Sequence, residues 1–499
     1  MTTKASGALL ARIQDILRPL VADGPPVYLI GGAVRDLLLK LPAHDLDFAM
    51  PGDVRRVARR TADALDGAFY MLDDERSTAR VIFQDVEAGR FVLDFAALRA
   101  DTLEGDLRAR DFTINAIAID INKPNDLIDP LGGAQDLKDK CLRMCTPQSF
   151  EEDPLRVLRG VRQALSLQFR IVPETWAAMG AAAPQLVRVS MERKRDEVFR
   201  MAEGRGFATA LQMLDHLGVL EQLFPEAAAL EDVALPLGHT PNVWEHTLSV
   251  VRRLEELINV LVDAHKEDDV ASLHLGLAAT QLHRFRPALA AFYAQEPVPG
   301  RSLRGVLKLA AALHDIGKTV VEGEENKGRL RFPEHAGEGS GLAAKRGSAL
   351  TLSKDEATRI KAIIESHMQL HALAKAPNPV EKRDVYCFFK FSGAAGVDVC
   401  LLSLADIMAA YGPALPLERW QAELDVVEAM LAGWFEQYEQ VVSPPRLVTG
   451  KDLMRELGVR PGRRMGALLD VIEETQACGE ILEREQALAF ARKWLEGEE

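Results

Sequence analysis

The stretch GGAVRDLLLKLPAHDLDFAM, Gly31 to Met50, follows the apolar run VYLI and brings together two glycines, an Arg-Asp pair and two alternating aspartates. In a strand, residues two apart point to the same side, so Asp45 and Asp47 of HDLDF project carboxylates from one face, about 7 Å apart along the chain. Two such carboxylates repel each other unless a cation relieves them. Magnesium suits, because one or two carboxylates hold it while substrate phosphates and water complete its octahedron. A pair of ions about 4 Å apart activates an attacking hydroxyl and stabilises a leaving pyrophosphate. Gly31 and Gly32 end the preceding strand, and without side chains they let backbone amides approach phosphate oxygens where the helix of Val34 to Leu38 begins. Arg35 adds a cation where triphosphate charge sits, with Asp36 beside it. Asp94, in the later strand FVLDF, is a third carboxylate for the same centre. A lone Gly-Gly is usually a turn and Asp-x-Asp is common on solvated strands; their combination between a strand and a helix points to nucleotidyl transfer.

The rest of the chain bounds that reading. With 499 residues, 47% of them hydrophobic and 27% charged, it is too long for one ordinary core and too apolar for extensive disorder. The amino terminus lacks a signal-peptide core and no apolar run reaches the length of a bilayer span, which predicts a cytoplasmic protein without membrane contact. Five cysteines, with no Cys-x-x-Cys pair, predict buried or half-buried thiols rather than disulfides or structural zinc. A net charge of −14 leaves nucleic-acid binding to local arginine clusters, among them Arg156, Arg159 and Arg162, and Arg460, Arg463 and Arg464 near the end.

A helix is predicted over 5–22, stopped by Gly24-Pro25-Pro26, then strands at VYLIGG, ARVIFQDV and GRFVLDFAAL with helices between. Strand signals nearly vanish after Glu151, so the fold class is α+β: a mixed α/β head over 1–150, then helical segments over 151–235, 236–412 and 413–499. In EEDPLRVLRGVRQAL, Asp153 is the expected N-cap and Pro154 the first helical residue. Leu155, Leu158, Val161 and Leu165 then share one side, and Asp153, Arg156 and Arg159 an outward face.

GGAVRDLLL, HDLDF, ARDFTINAIAID, DPLGGAQDLKDKCLR and EEDPLRVLRGVR, in that order, resemble the bacterial (class II) tRNA nucleotidyltransferase and poly(A) polymerase family, whose head is polymerase-β-like. VSMERKRDEVF is similar to the family's next helical motif, and LVTGKDLMRELGVRPGRRMGALL to the tail of many bacterial members. The resemblance implies that Asp45 and Asp47 hold the catalytic magnesium, and that Arg110, Asp111 and Asn115 lie against the ribose and phosphates of CTP or ATP. It implies that Glu152, Asp153 and Arg156 select the base, with Arg159 and Arg162 on the triphosphate. A carboxylate acceptor and a guanidinium donor are suited to address the Watson-Crick edge of C or A. Three departures stand out: Lys40 where the family has glycine, Ala109 where it has a first arginine, and only LRADTLEGDL between the Asp94 strand and Arg110-Asp111. Within the family such a short connection resembles enzymes that add two cytidines alone.

Most histidines fall in the third segment. His246 in NVWEHTLSVV, His314 and Asp315 in LAAALHDIGK, and Asp406 in LLSLADIMAA are similar to the ordered ligands of an HD-domain phosphohydrolase, implying a divalent transition metal. His335 and His367 are additional ligands for a second ion, whereas His216 and His283 read as ordinary surface or packing residues. The expected activity is addition or repair of the 3′-terminal CCA, or CC, of tRNA, with the tail gripping the acceptor arm through Arg463 and Arg464. Poly(A) polymerase and an HD phosphohydrolase acting on RNA-terminal or nucleotide phosphates are the rivals. Oligomeric state is not legible.

Overall fold

The computed structural model describes residues 13–21, 24–42, 45–85, 89–235, 240–263, 272–326 and 329–497. Residues 5–12 and 22 of the expected first helix, and His44 of HDLDF, lie outside them; residues 13–21 are helical. The chain divides into two compact units, Met1–Ser190 and Met191–Glu499.

The first unit is built on a seven-stranded sheet of order β3-β4-β5-β2-β1-β6-β7. Its strands are β1 (Tyr28–Ile30), β2 (Asp45–Met50), β3 (Ala68–Asp73), β4 (Thr78–Asp85), β5 (Gly89–Ala97), β6 (Ala118–Asp120) and β7 (Leu127–Ile128). β2 runs parallel to β5 and antiparallel to β1. Period-2 alternation decides what each face carries. Leu46 and Phe48 of β2, Val81 of β4, and Phe91, Leu93 and Phe95 of β5 are buried together, with Phe48 and Phe95 stacked at 4.9 Å. Each such side chain contributes about 1.5–3 kcal/mol on burial. Helix α1 (Gly32–Leu38) follows β1, and α2 (Arg55–Leu65) packs on β3 and β4 through Val57, Ala58 and Ala62. The other sheet face carries Asp45, Asp47, Arg80 and Asp94, since Asp47 pairs with Asp94 and Asp94 with Arg80 in register.

Two short helices complete what positions the site, α3 (Leu103–Arg108) and α4 (Arg156–Leu167). The predicted start of α4 is corrected. Asp153 is extended (φ −142°, ψ 95°) and the helix begins at Arg156 after a turn in which Arg156 N donates to the Asp153 carbonyl at 3.0 Å. Arg156 is also buried, not on an outward face.

The second unit is helical. Helix α5 (Val243–Leu261) packs against α6 (Leu303–Leu313) and α9 (Gly396–Tyr411), α7 (His335–Ala349) pairs with α8 (Lys354–Ser366), and α10 (Leu417–Glu436) lies on α9. Asn242, Ser302 and Ser353 cap α5, α6 and α8 with their side chains, Ser353 in a capping box with Glu356. Among the described residues one stretch, Lys382–Ala414, is long and apolar enough for a membrane span, against the sequence expectation; it is a core segment, broken at Gly393 and 78% buried over its most apolar window. Helices Gly450–Leu457, Arg463–Ala477 and Arg484–Gly497 close a small core of their own around Leu453, Leu468 and Ile472. All five cysteines are free, and Cys387 is exposed rather than buried.

Candidate functional site

Asp45 and Asp47 open to solvent at the start of β2. The Asp47 carboxyl is pushed above its ordinary value, first by desolvation, then by the charges of Asp94 and Asp45, while Arg110 and Arg159 pull it down. This donor set of hard oxygens with excess negative charge fits magnesium. Asp94, expected as a third ligand, is engaged otherwise: Arg80 donates to both of its oxygens at 2.8 Å. Gly31 precedes α1 at φ +73°, and a Cβ there would stand 3.2 Å from Arg110 Nη1 and 3.6 Å from Asp47 Oδ2. The left-handed φ favours glycine, and a Cβ there would also crowd Arg110.

Arg35, Asp36, Asp111, Asn115 and Arg159, five of the predicted nucleotide-binding residues, form one network. Arg35 donates to Asp36 Oδ1 and to Asn115 Oδ1, each at 2.8 Å. Burial raises the Asp36 carboxyl despite Arg35. Asn115 Nδ2 donates to Asp111 Oδ1 and to Gln163 Oε1, each at 2.9 Å, and Arg159 reaches Asp111 Oδ2 at 3.1 Å. Desolvation opposes charge on the fully buried Asp111, yet Arg159, Asn115 and the Phe112 amide outweigh it and hold the carboxyl below its usual range. Arg110 is clamped by the buried Asp106 at 2.9 Å, whose other oxygen accepts from Arg99 N, also at 2.9 Å. The motif DPLGG braces this loop: Asp129 accepts from the amides of Gly133 and Ala134 at 2.8 and 2.9 Å, and Thr113 donates to Asp136 at 2.7 Å.

Arg156 does more than its motif suggested. Its guanidinium donates to the carbonyls of Ala109 at 2.7 Å, Ser149 at 2.9 Å and Arg110 at 3.3 Å, and Glu152 lies 3.5 Å away. It ties α4 to the Arg110-Asp111 loop. Asp153, half-buried, accepts from the Leu155 amide at 3.2 Å, and Arg162 is half-buried on α4. Sequence reasoning missed Arg80, Asp106 and Gln163. The signal for Gln163 was present: Arg156, Arg159 and Gln163 recur at i, i+3 and i+7, one helix face.

In the second unit, His246, His314 and Asp315 bring ligand atoms within 4.8 Å of one another, as do Asp315, His335 and His367. Asp315 Oδ2 lies 3.3 Å from His314 Nε2 and 3.8 Å from His246, while Oδ1 lies 3.4 Å from His335 and 3.8 Å from His367. The Nδ1 atoms of His314, His335 and His367 lie 2.8, 2.6 and 2.7 Å from the carbonyls of Ala311, Phe332 and Ile364. Each therefore donates through Nδ1 and turns a lone pair at Nε2 inward. His314 Nε2 is buried with no hydrogen-bond partner, and the Nε2 atoms of His335 and His367 face each other at 3.1 Å. Burial, then His314, drives His367 down to about 3. Converging neutral imidazoles around a carboxylate fit a divalent transition metal. Asp406 sits at the edge of this set, with Oδ1 2.9 Å from His246 and Oδ2 2.8 Å from His371. His371 and Glu423 escaped the sequence reading, although His371 lies four residues beyond His367.

Comparisons with known proteins agree with both halves. Residues 27–143 match the family model for the poly A polymerase head domain, 168–230 that for the probable RNA and SrmB-binding site of polymerase A, and 282–390 the HD domain. The A-adding tRNA nucleotidyltransferase of Deinococcus radiodurans is 31% identical, over 96% of this chain and 98% of that one. The CC-adding tRNA nucleotidyltransferase of Geobacter sulfurreducens is 31% identical over 97% of each. The fold is shared with a CCA-adding enzyme in complex with ATP (TM-score 0.64, 20% identity, 98% and 96% coverage). It is shared also with the Thermotoga maritima CCA-adding enzyme complexed with tRNA (TM-score 0.57, 22% identity, 97% and 95%). Fold and site thus define a nucleotidyltransferase joined to an HD domain, both kinds of domain that use divalent metals. The chain belongs to the bacterial (class II) tRNA nucleotidyltransferase and poly(A) polymerase family.

Proposed function

We propose that this protein is a cytoplasmic CC-adding enzyme, which transfers two cytidylates from CTP to the 3′ end of tRNA and leaves the terminal adenosine to another enzyme. The observation that carries this reading is the connection from β5 to Arg110. It is short, and it is pinned: Thr102 caps α3, Asp106 is buried, and Asp106 binds both Arg99 N and Arg110. A connection fixed in this way has no slack with which to reset the base pocket from C to A. The name of the Geobacter sulfurreducens relative agrees with it, whereas that of the equally similar Deinococcus radiodurans relative is A-adding, so the connection and not the relatives carries the reading.

Asp45 and Asp47 hold magnesium, which when bound activates the acceptor hydroxyl and stabilises the pyrophosphate. Arg35, Arg110, Arg159 and Arg162 hold the triphosphate beside Gly31 and Gly32, and Asn115 with Asp111 orients the ribose. Asp153 accepts from the exocyclic amine of cytosine and Arg156 donates to its ring acceptors. To do so Arg156 exchanges one of its carbonyl partners, Ala109 or Arg110, for the base. The tail contributes Arg463 and Arg464 to the acceptor arm.

A second activity is supported by the inward Nε2 lone pairs: metal-dependent hydrolysis of phosphoesters at RNA ends, with His246, His314, Asp315 and Asp406 holding one ion and His335 and His367 a second. The two sites separate experimentally. Asp47→Asn lowers CMP incorporation into tRNA by about a thousandfold, as loss of several kcal/mol of charge stabilisation requires. It leaves cobalt-supported phosphoester hydrolysis intact, and His314→Ala does the reverse. Unchanged CMP incorporation by Asp47→Asn would overturn the assignment of the transfer site.

A further inference from the structure

Among the histidines of the second unit, His371 is built differently from the rest. His314, His335 and His367 each rest Nδ1 on the carbonyl of the residue three positions earlier and turn Nε2 inward, the arrangement of a ligand. His371 faces carboxylates with both nitrogens: Nε2 lies 2.8 Å from Asp406 Oδ2, and Nδ1 lies 2.8 Å from Glu423 Oε1. With each nitrogen turned to a carboxylate, the ring does not join the inward-facing ligand set. Glu423 is fully buried in α10, on a face otherwise made of Trp420, Leu424 and Val427. Removing a carboxylate from water costs several kcal/mol unless it is paired, so a glutamate there stands out in an apolar helix face. Neither of its oxygens has a hydrogen-bond partner of good geometry, and the group it meets as an ion pair is the His371 ring, 2.8 Å away and itself buried.

We propose that Glu423 and His371 are positioning residues of the metal centre. Glu423 fixes the ring of His371, and His371 takes Asp406 Oδ2, so that only Oδ1, 2.9 Å from His246 Nε2, is left to bind an ion beside His246. Asp406 then acts through one oxygen in a set orientation. The inference rests on the reading of the cluster as a metal site and adds the residues that shape it. Supports of this kind typically change metal affinity by about 10–100-fold when removed.

Cobalt(II) titrated into the chelator-stripped full-length protein tests this, with affinity read by calorimetry and coordination by visible absorption. His371→Gln and His371→Phe are expected to weaken cobalt binding by about 10–100-fold and to alter the visible band, and Glu423→Gln by about tenfold. The exposed His216→Gln is expected to bind as wild type does. Melting curves identify any variant that fails to fold; Glu423→Gln, which keeps shape and removes only charge, decides the matter if the His371 variants do not. Wild-type affinity and spectrum in a folded His371 variant or in Glu423→Gln would overturn the proposal. Failure of the wild-type protein to take up cobalt would instead overturn the metal reading, and this inference with it.

Discussion

Single residues in this protein are explained by the backbone they sit on. Lys40 occupies a position where the family has glycine, and the structure gives the reason for that preference: Lys40 adopts φ +57° just beyond the end of α1. A left-handed conformation costs an L-residue about 1–2 kcal/mol, and glycine returns part of that gain as unfolded-state entropy. Lys40→Gly is therefore expected to stabilise the protein by about 0.5–1 kcal/mol in urea unfolding, with unchanged nucleotide transfer. An equal or lower midpoint would mean that the lysine side chain makes a compensating contribution. Asp45, Asp47 and Gly31 were legible at this scale because strand alternation and glycine geometry are local rules. Arg156 was misjudged for the same reason. A helical wheel assigns polar residues to solvent, whereas the guanidinium finds three carbonyls supplied by segments up to 47 residues away in sequence.

Elements were read well where their periodicity was strong. The strands form at YLI, DLDF, ARVIFQD and GRFVLDF, while β3 hides in AFYMLD, an edge strand whose sides are too similar in polarity to alternate visibly. The start of α4 was placed too early because Asp153-Pro154 is a good cap signal, and the turn it makes precedes the helix. In the histidine cluster the elements set opposite pH dependences, which the spacing of histidines does not reveal. Burial, then His314, lowers His367 to about 3. Folded His367 refuses a proton that the unfolded chain accepts below about 6.5, so its contribution is present above that pH and lost as pH falls toward 3. Burial opposes charge on His371, but Asp406 and Glu423 raise it to about 10, so its contribution is present below about 6.5 and lost as pH rises through 10. Urea midpoints of the chelated protein should therefore fall on both sides of neutrality. His367→Gln should flatten the acid arm alone and His371→Gln the alkaline arm alone; identical arms in either variant would contradict these assignments.

Over the whole molecule, order along the chain carried the fold: five motifs in sequence placed the head and the helix that follows it, and the ordered His246, His314-Asp315 and Asp406 pointed to the HD domain; the family models match the head over 27–143 and the HD domain over 282–390. What sequence could not show was bracing. Gln163 meets Asn115 from 48 residues away, and His371 lies between Glu423 and Asp406, through contacts set by tertiary packing; the contact of Asp106 with Arg110, four residues on, is a local one. The central claim, that a short connection pinned by Asp106 restricts the enzyme to cytidine, belongs to this scale. Its most direct test is to incubate the protein and magnesium with three tRNA transcripts, ending before CCA, after C and after CC, with CTP and ATP separately and together. The account predicts growth to CC on the first two transcripts with CTP, and no growth of the third with ATP. Addition of A to the CC-ending transcript, or long A tails on any of the three, would contradict it.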